Sequence, residues 1–308
     1  MRFHAKDHRF FTLFPPYGSV EPIQDPGNIP STPRPPRGTA LLWNLQDGDW
    51  GGAFRAVRDR PAGVALFVLL PPVSQLDGID PLLELMEHCR PHSVLPHMEH
   101  LHPEDLLPYL KRFPVDFDLE VTDYLTWRGI EVDMETRRLI RKVFELSAEL
   151  RTVSGLARSL YISRRALGRR FMSRGLPVPS HWLHFGRILR ASLRLQGEGT
   201  NLSSIAYDLG YPDGFSLSNQ MHRMTGLRPS LMRECFGWEW IVEAWLFREA
   251  EQKNLSSALT RHLFGEAPAQ GQSALRVLKD TGTGPPSRIG VTERIGPHRR
   301  NRRSIQNS

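Results

Sequence analysis

The sequence predicts a chain of two parts: a small α/β domain in front, and behind it an all-α domain with two helix-turn-helix units. Three observations carry this. A helix, turn and helix pattern occurs at residues 154–171 and again at 202–223, with Ala157 and Ala206 49 residues apart and Leu167 and Leu217 50 apart. Residues 151–235 hold 13 Arg, no Lys and 4 acidic residues, a net +9, while residues 1–150 carry −6 and residues 236–308 carry +4. From Thr39 to Phe113 short apolar runs alternate with amphipathic stretches, the texture of βαβ units.

In chain order, residues 1–38 are proline-rich, with Pro15, Pro16, Pro22, Pro26, Pro30, Pro33, Pro35 and Pro36; they read as a leader without regular structure. Residues 39–120 read as the α/β regulatory domain around a small parallel sheet, approximately like a degenerate receiver. Asp47 and Asp49 follow the first apolar run but no acid closes the third, so phosphorylation is unsupported and both fit a turn or helix start. His88, His92, His97, His100 and His102 crowd beside Cys89, yet their spacing matches no metal motif, and surface histidines are the simpler account. No catalytic constellation, metal site or phosphate loop stands out, and no cofactor is expected.

Residues 131–236 read as the helical domain, opened by an amphipathic helix with Leu139, Ile140, Val143, Phe144, Leu146 and Leu150 on one face. In its first repeat Leu156, Ala157, Leu160, Ile162, Leu167 and Phe171 are apolar; Ile205, Ala206, Leu209, Tyr211, Leu217 and Met221 match them in the second. Small residues stand where two helices cross, and Ser163 or Asp213 stands where the second helix of each pair begins. An ordinary helical bundle would share the periodicity, but an all-arginine surface suits phosphate and guanine. Residues 237–264 read as a tryptophan-rich helix packed back on one of the domains, and 265–308 as a disordered basic tail. Cys89 and Cys235 are far apart, which points to a reducing compartment. The longest apolar run, residues 63–70, is shorter than the roughly 20 residues of a membrane span, so a soluble, cytoplasmic protein is expected.

Residues 135–235 resemble the DNA-binding domain of the AraC/XylS family of bacterial transcription regulators. The resemblance lies in Leu156-Ala157, the stretch 163–171, Gly175-Leu176-Pro177, then Trp182, Arg187 and Ala191, then Ile205-Ala206, Leu209-Gly210-Tyr211 and residues 225–230. It implies seven helices, with residues 180–195 joining two lobes whose recognition helices enter successive major-groove segments about 34 Å apart. It implies that Arg164, Arg165 and Arg169 of the first lobe, and Ser216 and Asn219 of the second, meet base edges, with Ser163, Arg170, Arg223 and Arg228 on the backbone. Phe215 meets a thymine methyl or fills the core; both remain open. Asn219 stands where an arginine is common and Met221 where an aromatic is common, so the second lobe is expected to read less sequence. Gly186 in the linker points to close packing or a slight bend.

The expected function is that of a sequence-specific transcription regulator, activator or repressor, with double-stranded DNA and RNA polymerase as partners and an effector and a second copy as further candidates. One alternative makes the front domain a docking or dimerisation module with no small ligand. Another is a DNA-modifying enzyme targeted by this domain; it needs an activated cysteine, and neither Cys89 nor Cys235 stands in an activating motif.

Overall fold

The computed structural model describes residues 3–265 apart from 5–7, 30–36, 46–50, 76–79, 99 and 198. Asp47, Asp49 and all but the first residue of the expected basic tail lie outside the described residues. The front part is a five-stranded sheet in the order β3-β2-β4-β5-β6, formed by β2 (Phe10–Leu13), β3 (Glu21–Ile23), β4 (Ala40–Asn44), β5 (Ala65–Leu69) and β6 (Ser93–Leu95). A separate pair joins β1 (Phe3–His4) to β7 (His100–Leu101).

Two expectations need correction. The proline-rich leader contributes β2 and β3, and Phe11, Leu13, Tyr17 and Val20 are fully or almost fully buried. Phe10-Phe11-Thr12-Leu13 is a strand-forming run that pairs with β4, while Pro22 is tolerated because β3 is an edge. The sheet is therefore mixed: β4, β5 and β6 are parallel and β2 and β3 antiparallel.

Every residue of β4 and β5 is buried, as expected of strands covered on both faces. Leu41, Trp43, Leu66 and Val68 pack against α1 (Gly51–Arg58) and α2 (Asp80–Cys89). The alternate residues Leu42, Phe67 and Leu69 pack against Leu106 and Leu110 of α3 (Pro103–Leu110) and against Phe236.

The helical part begins with α4 (Phe117–Trp127), unforeseen in the sequence, and continues through α5 (Met134–Leu146), α6 (Val153–Ser159), α7 (Arg164–Ser173), α8 (Pro179–Leu195), α9 (Leu202–Asp208), α10 (Gly214–Thr225), α11 (Pro229–Glu234), α12 (Glu239–Glu251) and α13 (Ser257–Phe264). The linker α8 is its axis. Trp182, Leu183, Phe185, Ile188, Leu189 and Ala191 are all buried, and Phe185 stacks on Trp245 of α12 at 4.1 Å. At Gly186 an added Cβ would lie 2.8 Å from Ser147, so this glycine marks a close crossing of α5 and α8. Arg190 donates to the Phe144 carbonyl and to Ser147 Oγ, satisfying the end of α5.

The described residues up to Gly265 belong to one compact unit, and buried polar contacts tie the sheet to the helices. Tyr17 Oη donates to the Gly38 carbonyl and accepts from the Phe236 amide, its ring stacked on Phe236. Gly63 donates to Tyr124 Oη, which donates to Glu243. His92 Nδ1 lies 2.7 Å from Glu239 Oε1, both side chains about 5 % exposed.

Burial disfavours charge on both members of that pair, but the opposite partner outweighs it. His92 titrates above the ordinary imidazole value of 6.5 and Glu239 below the ordinary carboxyl value of 4.5. The histidine's contribution is full below pH 6.5 and fades as pH rises through its raised folded value. That of Glu239 is full above pH 4.5 and fades as pH falls through its depressed one. His92→Gln is therefore expected to lower the melting temperature most between pH 4.5 and 6.5, with the deficit shrinking at higher pH. Thermal melts of both proteins across pH 4 to 9 check this; a deficit independent of pH would show that no ion pair forms.

Candidate nucleic-acid interface

Two surface lobes share one local construction. In the first, Thr152 Oγ1 caps α6 through the Gly155 amide and Ser163 Oγ caps α7 through the Ala166 amide. In the second, Asn201 Oδ1 caps α9 through the Ser203 amide and Asp213 Oδ1 caps α10 through the Ser216 amide. The turns match as well: Ile162 donates to the Ala157 carbonyl and Tyr211 to the Ala206 carbonyl. Both turns require a left-handed residue, supplied by Tyr161 (φ 54°) in one lobe and Gly210 (φ 72°) in the other. Each lobe closes on α8 through its small core, Leu156, Ala157, Leu167 and Phe171 in one and Ile205, Ala206, Leu217 and Met221 in the other.

On α7, Arg164, Arg165 and Arg169 are exposed, and none is held by a hydrogen bond or ion pair among the described residues. Arg165 and Arg169 are one turn apart and share a face. Gly168 lies between them with open space where a side chain would be. Ser163 is occupied as the N-cap. Arg170 is not free: it binds Glu135, with Asp133 3.9 Å away, and Arg174 also reaches Asp133 at 2.8 Å. That acidic hold on Arg170 leaves no mark in the local sequence, since Glu135 lies 35 residues before it.

On α10, Asn219 is exposed and without a partner among the described residues, Ser216 is half-buried, and Arg223 donates to Gln220 Oε1 at 2.5 Å. Phe215 is 75 % exposed, so it does not fill the core. Arg228 is exposed at the start of α11. Tyr161 and Tyr207, 96 % and 81 % exposed, add two aromatic side chains at the lobe surfaces.

Gly168→Ala offers a direct probe of this face. In the free protein it is expected to raise stability by about 1 kcal/mol, since alanine suits a helix interior better than glycine and meets no neighbour. If α7 lies against DNA the same methyl weakens binding, so paired melting and binding measurements on this variant locate the contact surface.

Burial pushes both thiols up to about 11, so neither Cys89 nor Cys235 is an activated nucleophile. Among the described residues no three metal-ligating side chains converge, and no helix is long and apolar enough to cross a membrane.

Comparison with known proteins agrees with this geometry. Residues 156–234 match the family model described as helix-turn-helix domain. No curated protein matches the chain. Among solved structures, the transcriptional regulator CdpR from Pseudomonas aeruginosa matches at 20 % identity over 59 % of this chain and 59 % of its own, with a TM-score of 0.29. That likeness is too low to bear on the architecture. The matched stretch covers both lobes and the linker between them, so residues 156–234 form a helix-turn-helix domain.

Proposed function

We propose that the protein is a sequence-specific transcription regulator that reads two successive major-groove segments, one with α7 and one with α10. The observation that supports this most is the duplicated cap, turn and helix construction, in which α7 and α10 each pack on α8 and keep exposed polar residues. At 17 residues α8 is about 25 Å long, the right scale for spacing two helices along one face of a duplex. Arg164, Arg165 and Arg169 read bases in the first segment, guanine above all, through paired donors to O6 and N7. Ser216 and Asn219 read the second, Asn219 by adenine. Ser163, Arg170, Arg223 and Arg228 position the backbone, and Arg170 does so after exchanging Glu135 for a phosphate.

The front sheet modulates binding through its buried ties to α12, in response to an effector or a partner protein. RNA polymerase and a second copy of the chain are further proposed partners, and the cytoplasm the proposed location. Incubating the full chain with pooled genomic fragments at two salt concentrations, then sequencing what is retained, tests the reading. Enrichment of one asymmetric site is the expected result. Retention that collapses with salt and enriches nothing would leave only phosphate attraction and defeat it.

A further inference from the structure

Where the two lobes meet α8, five groups suited to an anion converge, and no carboxylate of the described residues pairs with any of them. Arg151, in the loop before α6, lays its guanidinium on the turn of the other lobe; a Cβ on Gly210 would come within 2.1 Å of it. Arg151 is exposed and holds no hydrogen bond or ion pair among the described residues. Arg187 of α8, only 4 % exposed, lies 4.3 Å over the Tyr211 ring and donates to the Leu209 carbonyl. Tyr211 Oη and His184 Nδ1 are buried with no hydrogen-bond partner among the described residues. Burial raises Tyr211 and lowers His184, and the charge of Arg223 of α10, the fifth group, reaches both.

Such a cluster is unfavourable in the free protein. Burial first, and then Arg187, Arg223 and His181, hold His184 below the ordinary imidazole range, while His181 Nδ1 lies 2.8 Å from Glu249 Oε2. Two buried polar atoms wait for an acceptor or donor, and cations from the loop before α6, from α8 and from α10 wait for a negative charge. An oxyanion with several acceptor oxygens satisfies all of them together, and guanidinium forks suit phosphate.

We propose that this junction is a phosphate site, filled by the backbone phosphate of the DNA between the two major-groove segments. It rests on the two-segment reading above and adds Arg151, His184, Arg187 and Tyr211 to the interface. Arg187 and Tyr211 also support the fold, so Arg151→Gln is the informative variant. Its melting temperature should match or exceed wild type, since a repelling charge is removed and no partner is lost.

In the full chain, Arg151→Gln is expected to weaken binding to the selected fragment and to an unrelated duplex alike, by about tenfold. The slope of log affinity against log salt should fall by about one. Single neutral methylphosphonates placed between the two half-sites should weaken wild type and leave the variant unaffected. An unchanged slope, with the selected fragment still lost on Arg165→Ala, would overturn the phosphate site while leaving the two-segment reading intact. If wild type retains no duplex at all, both fall. Stabilisation of wild type but not of Arg151→Gln by inorganic phosphate, with equal DNA binding, would assign the junction to a free phosphoryl ligand and overturn the DNA assignment.

Discussion

Arg165→Ala is expected to lower affinity for the selected DNA site by about 1–3 kcal/mol, roughly 5- to 150-fold, while binding to unrelated duplex changes far less. Arg165 is exposed on the second position of α7 and free of any partner among the described residues, so its removal costs the fold nothing and the effect belongs to the interface. Its loss should also relax preference at one base position, with guanine no longer favoured over the alternatives. Arg169→Ala, one turn on, should act alike at a neighbouring position, and the two should be close to additive if each reads its own base. Quantitative binding to a set of single-base variants of the selected site decides the matter. Equal losses on every sequence would make Arg165 a phosphate contact and remove α7 from direct readout.

The second large effect concerns the axis that carries both lobes. Trp245→Ala is expected to destabilise the protein by about 3–5 kcal/mol, the range for deleting a buried aromatic. Trp245 is fully buried, stacked flat on Phe185 and edge-on to Trp182 at 4.7 Å, and its indole N–H donates to Glu249. Glu249 also holds His181, so the substitution opens a cavity beside α8 and leaves a buried carboxylate with one partner fewer. Trp245→Phe keeps the ring contact and loses only that hydrogen bond, so it should cost much less. Denaturant unfolding of both variants measures the difference. A cost under 1 kcal/mol for the alanine variant would show that α12 does not brace the linker.

The repeat was legible because its physics is local. Ala157 and Ala206, the N-caps Ser163 and Asp213, and the apolar positions between them recur in register within one short motif, and the structure folds both copies alike. The linker was legible too, down to Gly186, whose missing side chain the crossing with Ser147 requires. Strand β2 was obscured by the prolines that follow it; four apolar or β-favouring residues at Phe10–Leu13 were outweighed by composition, and their partner β4 begins only at Ala40. Helix α4 carries Phe117, Val121, Tyr124 and Leu125 at helical spacing and could have been read from that stripe. The acidic hold on Arg170 and the His92–Glu239 pair were beyond such a reading, because partners 35 and 147 residues apart leave no mark in local spacing. The roles of the exposed arginines are a different matter: their accessibility is settled by the fold, their base contacts by the binding experiments above.

The ties between sheet and helices also bear on how the chain is made. Tyr17 meets the Phe236 amide across 219 residues, and His92 meets Glu239 across 147. During synthesis the strands of the sheet leave the ribosome long before residues 236–243 exist, so one face of an early, apolar sheet has nothing to lie against. The helical repeat, built from near neighbours, can fold as it emerges, whereas the oldest part of the chain is completed last. Any interruption of translation after residue 235 would leave the sheet without its ties to Phe236 and Glu239 and the linker without Trp245, a species marked for chaperones and proteases rather than for DNA.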